Sequence, residues 1–123
     1  MKLTYKQILR AYLPINQIAD IRLTDLDKSR LISKWRKALT EESQFYSEEQ
    51  SKIAREHDGI IDEEGLITFG SIEEKRAYKI ALNELDKSET EIELGPVYLG
   101  KNLALSLSAN DLDALEGIVI FED

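Results

Sequence analysis

The predicted fold is built around the stretch of residues 25 to 57, DLDKSRLISKWRKALTEESQFYSEEQSKIAREH, which contains neither glycine nor proline. Thr24 precedes an acidic start, in which Asp25 and Asp27 suit the positive end of a helix dipole. The stretch therefore predicts one unbroken helix over its whole length. At about 1.5 Å per residue this helix is roughly 50 Å long, which exceeds the width of a compact domain of this size, so part of it must project.

The apolar residues of this helix recur at intervals of three and four, which predicts a face that packs on a second, antiparallel helix. Glu42 and Glu49 interrupt that face, so its distal half is the weaker contact. Ser71 and Glu74 form a capping box, which predicts that the partner helix runs from Ile72 to about Lys87. The apolar face of the long helix comprises Leu31, Ile32, Trp35, Ala38, Leu39, Phe45, Tyr46 and Ile53.

A further capping box stands near the N-terminus, where Thr4 is followed by Gln7. It predicts a helix that begins at Tyr5. Pro14 lacks a backbone N–H and disfavours the helical conformation of the residue before it. We therefore expect a kink or break at Pro14, with a second short helical piece after it.

HDGIIDEEGLITFG, residues 57 to 70, connects the two long predicted helices. Gly59 suits a left-handed residue at a helix C-terminus, and DEEG suits a turn between the apolar pairs at 60–61 and 66–67. The segment thus predicts a small β-hairpin at the tip of a helical hairpin.

The same connection partly matches an EF-hand loop, since Asp62 and Glu64 fall at ligand positions. The first and twelfth positions would then be Ile60 and Ser71, which cannot supply the carboxylates that calcium requires. We therefore expect a solvated acidic turn and no bound metal.

The last third of the chain changes to a period of two. ETEIEL at 89–94, the short run 97–99, LALSLS at 103–108 and IVIF at 118–121 predict three or four strands in one small sheet. Ser108 with Asp111 caps a short covering helix, which Gly117 ends.

The predicted fold class is α+β: an N-terminal long helical hairpin with a small β-hairpin at its tip, followed by a small sheet with one short covering helix. We expect a single domain over residues 1–123. Residues 1–88 form its helical hairpin part, and residues 89–123 form its small β-rich part.

GPVYLGKN, residues 95 to 102, differs by one letter from the phosphate-binding pattern G-x-x-x-x-G-K-[ST]. A phosphate loop leaves a strand and enters a helix, whose first amides hold the phosphates. Here the residues that follow predict a strand, and Asn102 replaces the hydroxyl that takes magnesium. We interpret the segment as two turns that flank a short strand, and we expect no nucleotide cofactor.

Other catalytic and targeting signals are weak. The chain has no cysteine, which excludes disulfides, thiolate metal sites and cysteine nucleophiles. His57 is the only histidine, and we interpret it as a helix-terminal residue. We therefore expect no enzyme activity and no catalytic residue. A signal peptide and an apolar run of roughly 20 residues are both missing, so we expect a cytoplasmic protein without a membrane partner.

The net charge of −8 is distributed unevenly along the chain. Residues 1–40 carry nine Lys and Arg against three Asp and Glu, whereas residues 41–123 carry seven against twenty-one. The basic segment 28–37 lies, in an antiparallel hairpin, near Glu89, Glu91 and Glu93. We expect neutralisation within the chain rather than nucleic-acid binding, because the acidic remainder lowers affinity for phosphate.

Several segments together resemble one group of proteins: KLT-x-x-Q-I at the N-terminus, the acidic turn D-E-x-G, a second helix that ends in ALNELDKSETEIEL, and a tail LSANDLDALEGIVIFE. Their order is similar to that of small uncharacterised proteins encoded by phages and prophages of Gram-positive bacteria. The resemblance implies no activity, cofactor or catalytic residue. It does imply the cytoplasm of a bacterial host and a role in the phage programme.

Two functions fit these expectations. In the first, the protein is an assembly or adaptor component that binds itself or another protein, with Phe45, Tyr46 and Ile53 as the candidate interface. In the second, it is an acidic inhibitor that imitates nucleic acid and occupies the basic groove of a host enzyme. A mimic needs carboxylates in phosphate-like rows, whereas here they are scattered over turn, helix and strands, which favours the first function.

Overall fold

A computed structural model describes residues 1–122 and contains five helices and six strands within that range. The helices are α1 (Tyr5–Ala19), α2 (Leu26–Glu56), α3 (Ile72–Lys87), α4 (Lys101–Ala104) and α5 (Ala109–Ala114). The strands are β1 (Lys2–Thr4), β2 (Ile60–Ile61), β3 (Ile67–Thr68), β4 (Glu89–Glu91), β5 (Val97–Gly100) and β6 (Val119–Glu122). The α+β class is confirmed.

The long helix α2 is continuous over 31 residues, as predicted. The Asp25 carboxylate caps its start by accepting hydrogen bonds from the backbone N–H groups of Asp27 and Lys28, at 2.9 and 3.3 Å. His57 forms the C-cap. At about 1.5 Å per residue, α2 is roughly 46 Å long.

Helix α1 begins at Tyr5 behind the predicted capping box, but the break predicted at Pro14 is wrong. The helix continues through Pro14 to Ala19. Ile8, Ile15 and Ile18 are fully buried along the same side of it. Burying each isoleucine contributes roughly 1.5–3 kcal/mol, so the two that follow the proline offset its cost of about 3 kcal/mol inside a helix.

Helix packing differs from the prediction in its main pair. The most extensive contact of α2 is with α1, while α3 contacts both of them less extensively. Two tyrosines join the three helices, because the Tyr5 hydroxyl donates to the Glu42 carboxylate at 2.9 Å and the Tyr46 hydroxyl donates to the Asp86 carboxylate at 2.5 Å. The helical hairpin of α2 and α3 is therefore completed at its base by α1.

The strands do not form the single sheet that was predicted. They form three separate two-stranded sheets: β1–β4 and β2–β3 are antiparallel, and β5–β6 is parallel. The N-terminal strand β1 was not predicted. It pairs with β4, which therefore does not join the other strands in one sheet. Because a parallel pair needs a crossover connection, α4 and α5 lie between β5 and β6.

The predicted strand at 103–108 is also wrong, since α4 and a turn occupy this segment. Leu103 and Leu107 pack against the core, whereas Leu105 is exposed. A separation of four residues places two side chains on the same side of a strand and also on the same side of a helix. Residues 103 and 107 therefore fit both patterns. The predicted covering helix is confirmed as α5, with its Ser108–Asp111 capping box and a left-handed Gly117 after it.

The hydrophobic core lies at one end of the molecule. Its fully buried side chains include Ile8, Ile15, Ile18, Trp35, Leu39, Val97 and Leu115. Trp35 also donates from its indole N–H to the Gly95 carbonyl at 2.9 Å. Both parts of the chain on either side of residue 88 therefore contribute to one core.

We predict that Trp35→Ala lowers the free energy of unfolding by about 3–5 kcal/mol, because it leaves a cavity at the centre of this core. Urea denaturation checks this value. Trp35→Phe keeps most of the volume but leaves the Gly95 carbonyl without its donor, so we expect a smaller loss. An unchanged denaturation midpoint for Trp35→Ala would contradict the observed burial.

We predict that stability falls at alkaline pH because of Tyr5 and Tyr46. Burial, and then the hydrogen bond to Glu42, raises the pKa of Tyr5 to about 12. Burial and the bond to Asp86 raise the pKa of Tyr46 in the same direction. The unfolded chain releases these protons near pH 10 while the folded chain keeps them, so their contribution is complete below about pH 10 and is lost as pH rises through about 12.

Urea denaturation at a series of pH values measures this loss. In the Tyr5→Phe, Tyr46→Phe double variant we expect stability to decline less between about pH 9 and about pH 12 than in the unmodified protein. Tyr98→Phe is the matched control, because Tyr98 is exposed. Equal declines in the double variant and the unmodified protein would contradict this assignment.

Candidate functional site

The distal arm (residues 47–81) extends away from the core. It comprises the last third of α2, the β2–β3 hairpin and most of α3. No residue of this range belongs to the hydrophobic core cluster. Ala54 and Tyr78 are the only apolar residues of the arm that are buried. The arm therefore depends on contacts of its own.

Tyr78 makes two side-chain contacts that join the two helices and the hairpin of the arm. The rings of Phe69 and Tyr78 lie with their centroids 4.9 Å apart. The Gln50 side-chain amide donates to the Tyr78 hydroxyl at 3.0 Å. Tyr78 on α3 thus contacts both α2 and the residue that follows β3.

The junction of α2 and β2 corrects the role predicted for Gly59. The left-handed residue is Asp58, with φ of 59°, a conformation that Asp tolerates better than most residues. Gly59 is needed instead for close approach, since a Cβ there would lie 2.8 Å from both the Ala54 carbonyl oxygen and the Phe69 ring. Its own N–H donates to the Ala54 carbonyl at 2.7 Å.

The predicted β-hairpin is confirmed, with β3 one residue later than expected. Ile60 pairs with Thr68, and Ile61 pairs with Ile67. The Asp62 carboxylate accepts hydrogen bonds from the N–H groups of residues 64 and 66, at 2.9 and 2.8 Å. Residue 65 is a glycine with φ of 85°, which a side chain would strain. In the segment that partly matches an EF-hand, Asp62 therefore serves an acidic turn.

Large apolar side chains are exposed along the arm. Ile60 is 70% exposed, Leu66 62%, Ile72 71% and Ile80 68%. Ile72 and Ile80 are eight residues apart on α3 and so lie on the same side of it, about 12 Å from each other. The tip and the outer side of α3 thus present apolar surface to solvent.

The three predicted interface residues have different environments. Phe45 is 46% exposed, and its ring centroid lies 6.0 Å from that of Tyr5. Ile53 is half-buried in the arm. Tyr46 is buried in the core cluster and hydrogen-bonded to Asp86, so its prediction as a surface contact is wrong. Tyr46 is buried because α3 packs beside it and places Asp86 within hydrogen-bonding distance of its hydroxyl.

The sequence reasoning missed the exposed residues at the tip. One signal could have found them: a two-stranded hairpin has too few neighbours to bury two adjacent apolar pairs, since successive side chains point to opposite faces. On α3, Ile72 and Ile80 also fall outside the inward stripe of Ala77, Tyr78 and Ala81.

A second surface lies on the proximal half of α2. The proximal basic surface (Arg30, Lys34, Arg36 and Lys37) is exposed throughout. Beside it, a cavity of about 370 Å³ separates α2 from the segment 91–94. Lys34 and Lys37 line this cavity together with carboxylates of that segment, so the predicted proximity is confirmed.

Within residues 1–122, however, this proximity does not produce direct ion pairs. The ion pairs found between described residues join Met1 to Glu91 and Lys52 to Glu49, at 2.8 and 3.0 Å. None of the four basic side chains forms an ion pair with a carboxylate of residues 1–122. Their side chains are exposed, and the carboxylates of residues 1–122 lie beyond ion-pair distance from them.

The interpretation of the segment 95–102 also needs a correction, because α4, rather than a strand, begins within it at Lys101. The residues between its two glycines nevertheless form β5, which pairs with β6, and the Val97 N–H donates to the Ile118 carbonyl at 2.8 Å. A phosphate loop instead keeps its backbone N–H groups for the phosphates. The geometry of the segment is thus that of a paired strand.

His57 and the carboxylates of residues 1–122 form no group suited to a metal ion. His57 is half-buried at the C-terminus of α2, and its backbone N–H donates to the Ala54 carbonyl at 3.2 Å. In the part of the chain that the structure describes, no three His, Asp or Glu side chains are grouped so that they could hold a metal ion. None of the helices within residues 1–122 combines the length and the apolar character needed to cross a membrane.

Comparison with known proteins identifies no relative of this chain. No protein-family model matches it, and neither a curated protein nor a solved structure does so. The resemblance to phage and prophage proteins therefore stays a prediction. The candidate site rests on two features of the structure itself, namely the distal arm and the proximal basic surface.

Proposed function

We propose that this protein is a non-enzymatic assembly or adaptor component that self-associates through its distal arm. One observation carries the proposal: the arm contributes nothing to the core, yet it exposes four large apolar side chains. Apolar surface gathered on one projecting element is typical of a protein–protein contact.

The construction of the arm supports this function. A two-stranded hairpin is marginally stable in water by itself, and most of the stability of a helix comes from packing of its apolar face. In the arm, Tyr78 is the one buried residue of α3. A partner that covers Ile60, Leu66 and Ile72 would stabilise the arm while it binds.

The proposed setting follows the resemblance of the sequence. We place the protein in the cytoplasm of a bacterial host, as part of a phage or prophage programme. An assembly role requires no cofactor and no catalytic residue. The alternative, an acidic mimic of nucleic acid, is less well supported, because four basic side chains stand exposed on α2.

We predict that the protein forms a homodimer or a larger assembly at micromolar concentration. Ile60→Thr with Leu66→Thr should weaken the association at least about tenfold, since burying each apolar side chain contributes roughly 1.5–3 kcal/mol and about 1.4 kcal/mol is tenfold. Sedimentation equilibrium measures the change. Both residues are exposed, and threonine suits the strand position of Ile60, so we expect the variant to fold.

Leu105→Thr is the matched control, because Leu105 is exposed but lies outside the arm. It should associate like the unmodified protein. A mass of 14.1 kDa at high concentration and low salt would overturn self-association. Equal association of the arm variant and the control would place the contact elsewhere on the molecule.

A further inference from the structure

We propose that the acidic tip of one chain's arm docks on the proximal basic surface of a second copy, so that the chains associate head to tail. This inference rests on the proposed function and names the surface that receives the arm. It is carried by the charges at the two ends of α2 and by the distance between them.

The two ends of α2 have complementary charge. Residues 28–40 carry five Lys and Arg and no Asp or Glu. Residues 56–74, around the tip, carry seven Asp and Glu and no Lys or Arg. Asp58, Asp62, Glu63 and Glu64 are all exposed there. Each surface is therefore the natural counterpart of the other, and complementary charge steers association and sets its register.

These two surfaces cannot meet within one chain. They lie on, or next to, one continuous helix, and the 22 residue steps from Lys34 to Glu56 span about 33 Å of it. A helix without an internal proline or glycine does not fold back on itself. The acidic tip therefore reaches a proximal basic surface only on another molecule.

The receiving surface also fits the apolar side chains of the tip. The cavity of about 370 Å³ beside α2 is lined by Lys34 and Lys37 and has apolar side chains at Ala38, Ile92 and Leu94. A second hollow, lined by Arg36, Lys37, Thr40 and Glu41, adjoins it. Ile60 or Leu66 of the incoming tip can contact the apolar residues while the carboxylates of the turn face the cations.

Carboxylates in the same cavity restrict how the tip can approach. Glu41, Glu42, Glu91 and Glu93 also line it. They repel an acidic turn, so the turn lies toward Arg36 on the outer side of α2 rather than toward the segment 91–94. This asymmetry gives the contact one preferred orientation.

A head-to-tail contact of this kind can build two assemblies. When two chains use it reciprocally, the contact closes a dimer with two-fold symmetry, in which the arms run antiparallel. When each chain passes its arm to the next, the same contact builds a ring or an open chain. Either assembly uses both ends of α2.

A charge-swap experiment tests the inference. One variant carries Lys34→Glu and Lys37→Glu, and the other carries Glu63→Lys and Glu64→Lys. All four side chains are exposed. Alone, each variant should self-associate at least about tenfold more weakly than the unmodified protein, because like charges then face each other. Mixed in equal amounts, the two variants should associate again, since the reversed tip of one meets the reversed α2 of the other.

Sedimentation equilibrium gives the dissociation constant of each sample, and circular dichroism confirms that each variant is folded. Lys6→Glu with Arg10→Glu on α1 is the matched control, because both residues are exposed outside the arm and the proximal basic surface. It changes net charge as much as Lys34→Glu with Lys37→Glu does but should leave association unchanged. A monomeric unmodified protein would contradict the proposed function itself. An associating protein whose charge variants are unaffected alone, or fail to recover when mixed, would overturn only the head-to-tail contact.

Discussion

The continuity of α2 is the constraint on which the rest of the structure depends. A single helix of 31 residues carries Trp35 and Leu39 into the core at one end and holds the β-hairpin far from that core at the other. Because a helix without proline or glycine is stiff, it separates the chain into a packed base and an exposed arm. The division into a packed base and an exposed arm follows from that stiffness.

The base and the arm are stabilised in different ways. Around Trp35, helix α1 and the segments 92–99 and 115–119 bury their apolar side chains against the proximal half of α2. In the arm, the rings of Phe69 and Tyr78 contact each other, and the chain approaches itself closely at Gly59. The free energy of local opening is lower for an element with so few buried contacts than it is for the core. Binding at the arm would therefore order the least stable part of the molecule.

Much of the helical architecture was predictable, and much of the strand pairing was not. The capping boxes at Thr4 and Ser108 and the acidic N-cap at Asp25 gave correct helix starts, since a cap is a contact between residues close in sequence. For the candidate site, Phe45 and Ile53 indicated the distal half of α2. Tyr46 misled, because whether it is covered depends on α3, which lies 40 residues away at Asp86.

The sequence alone specified the starts of α1, α2, α3 and α5, their N-terminal caps and the acidic turn of the hairpin, because these depend on side chains within about one turn of each other. It also determined the opposite charges at the two ends of α2. Only the tertiary structure decided that α1 continues through Pro14, that β1 pairs with β4, and that β5 and β6 run parallel. These outcomes depend on burial and on pairing between distant segments, whose free energy exists only when the whole core is assembled.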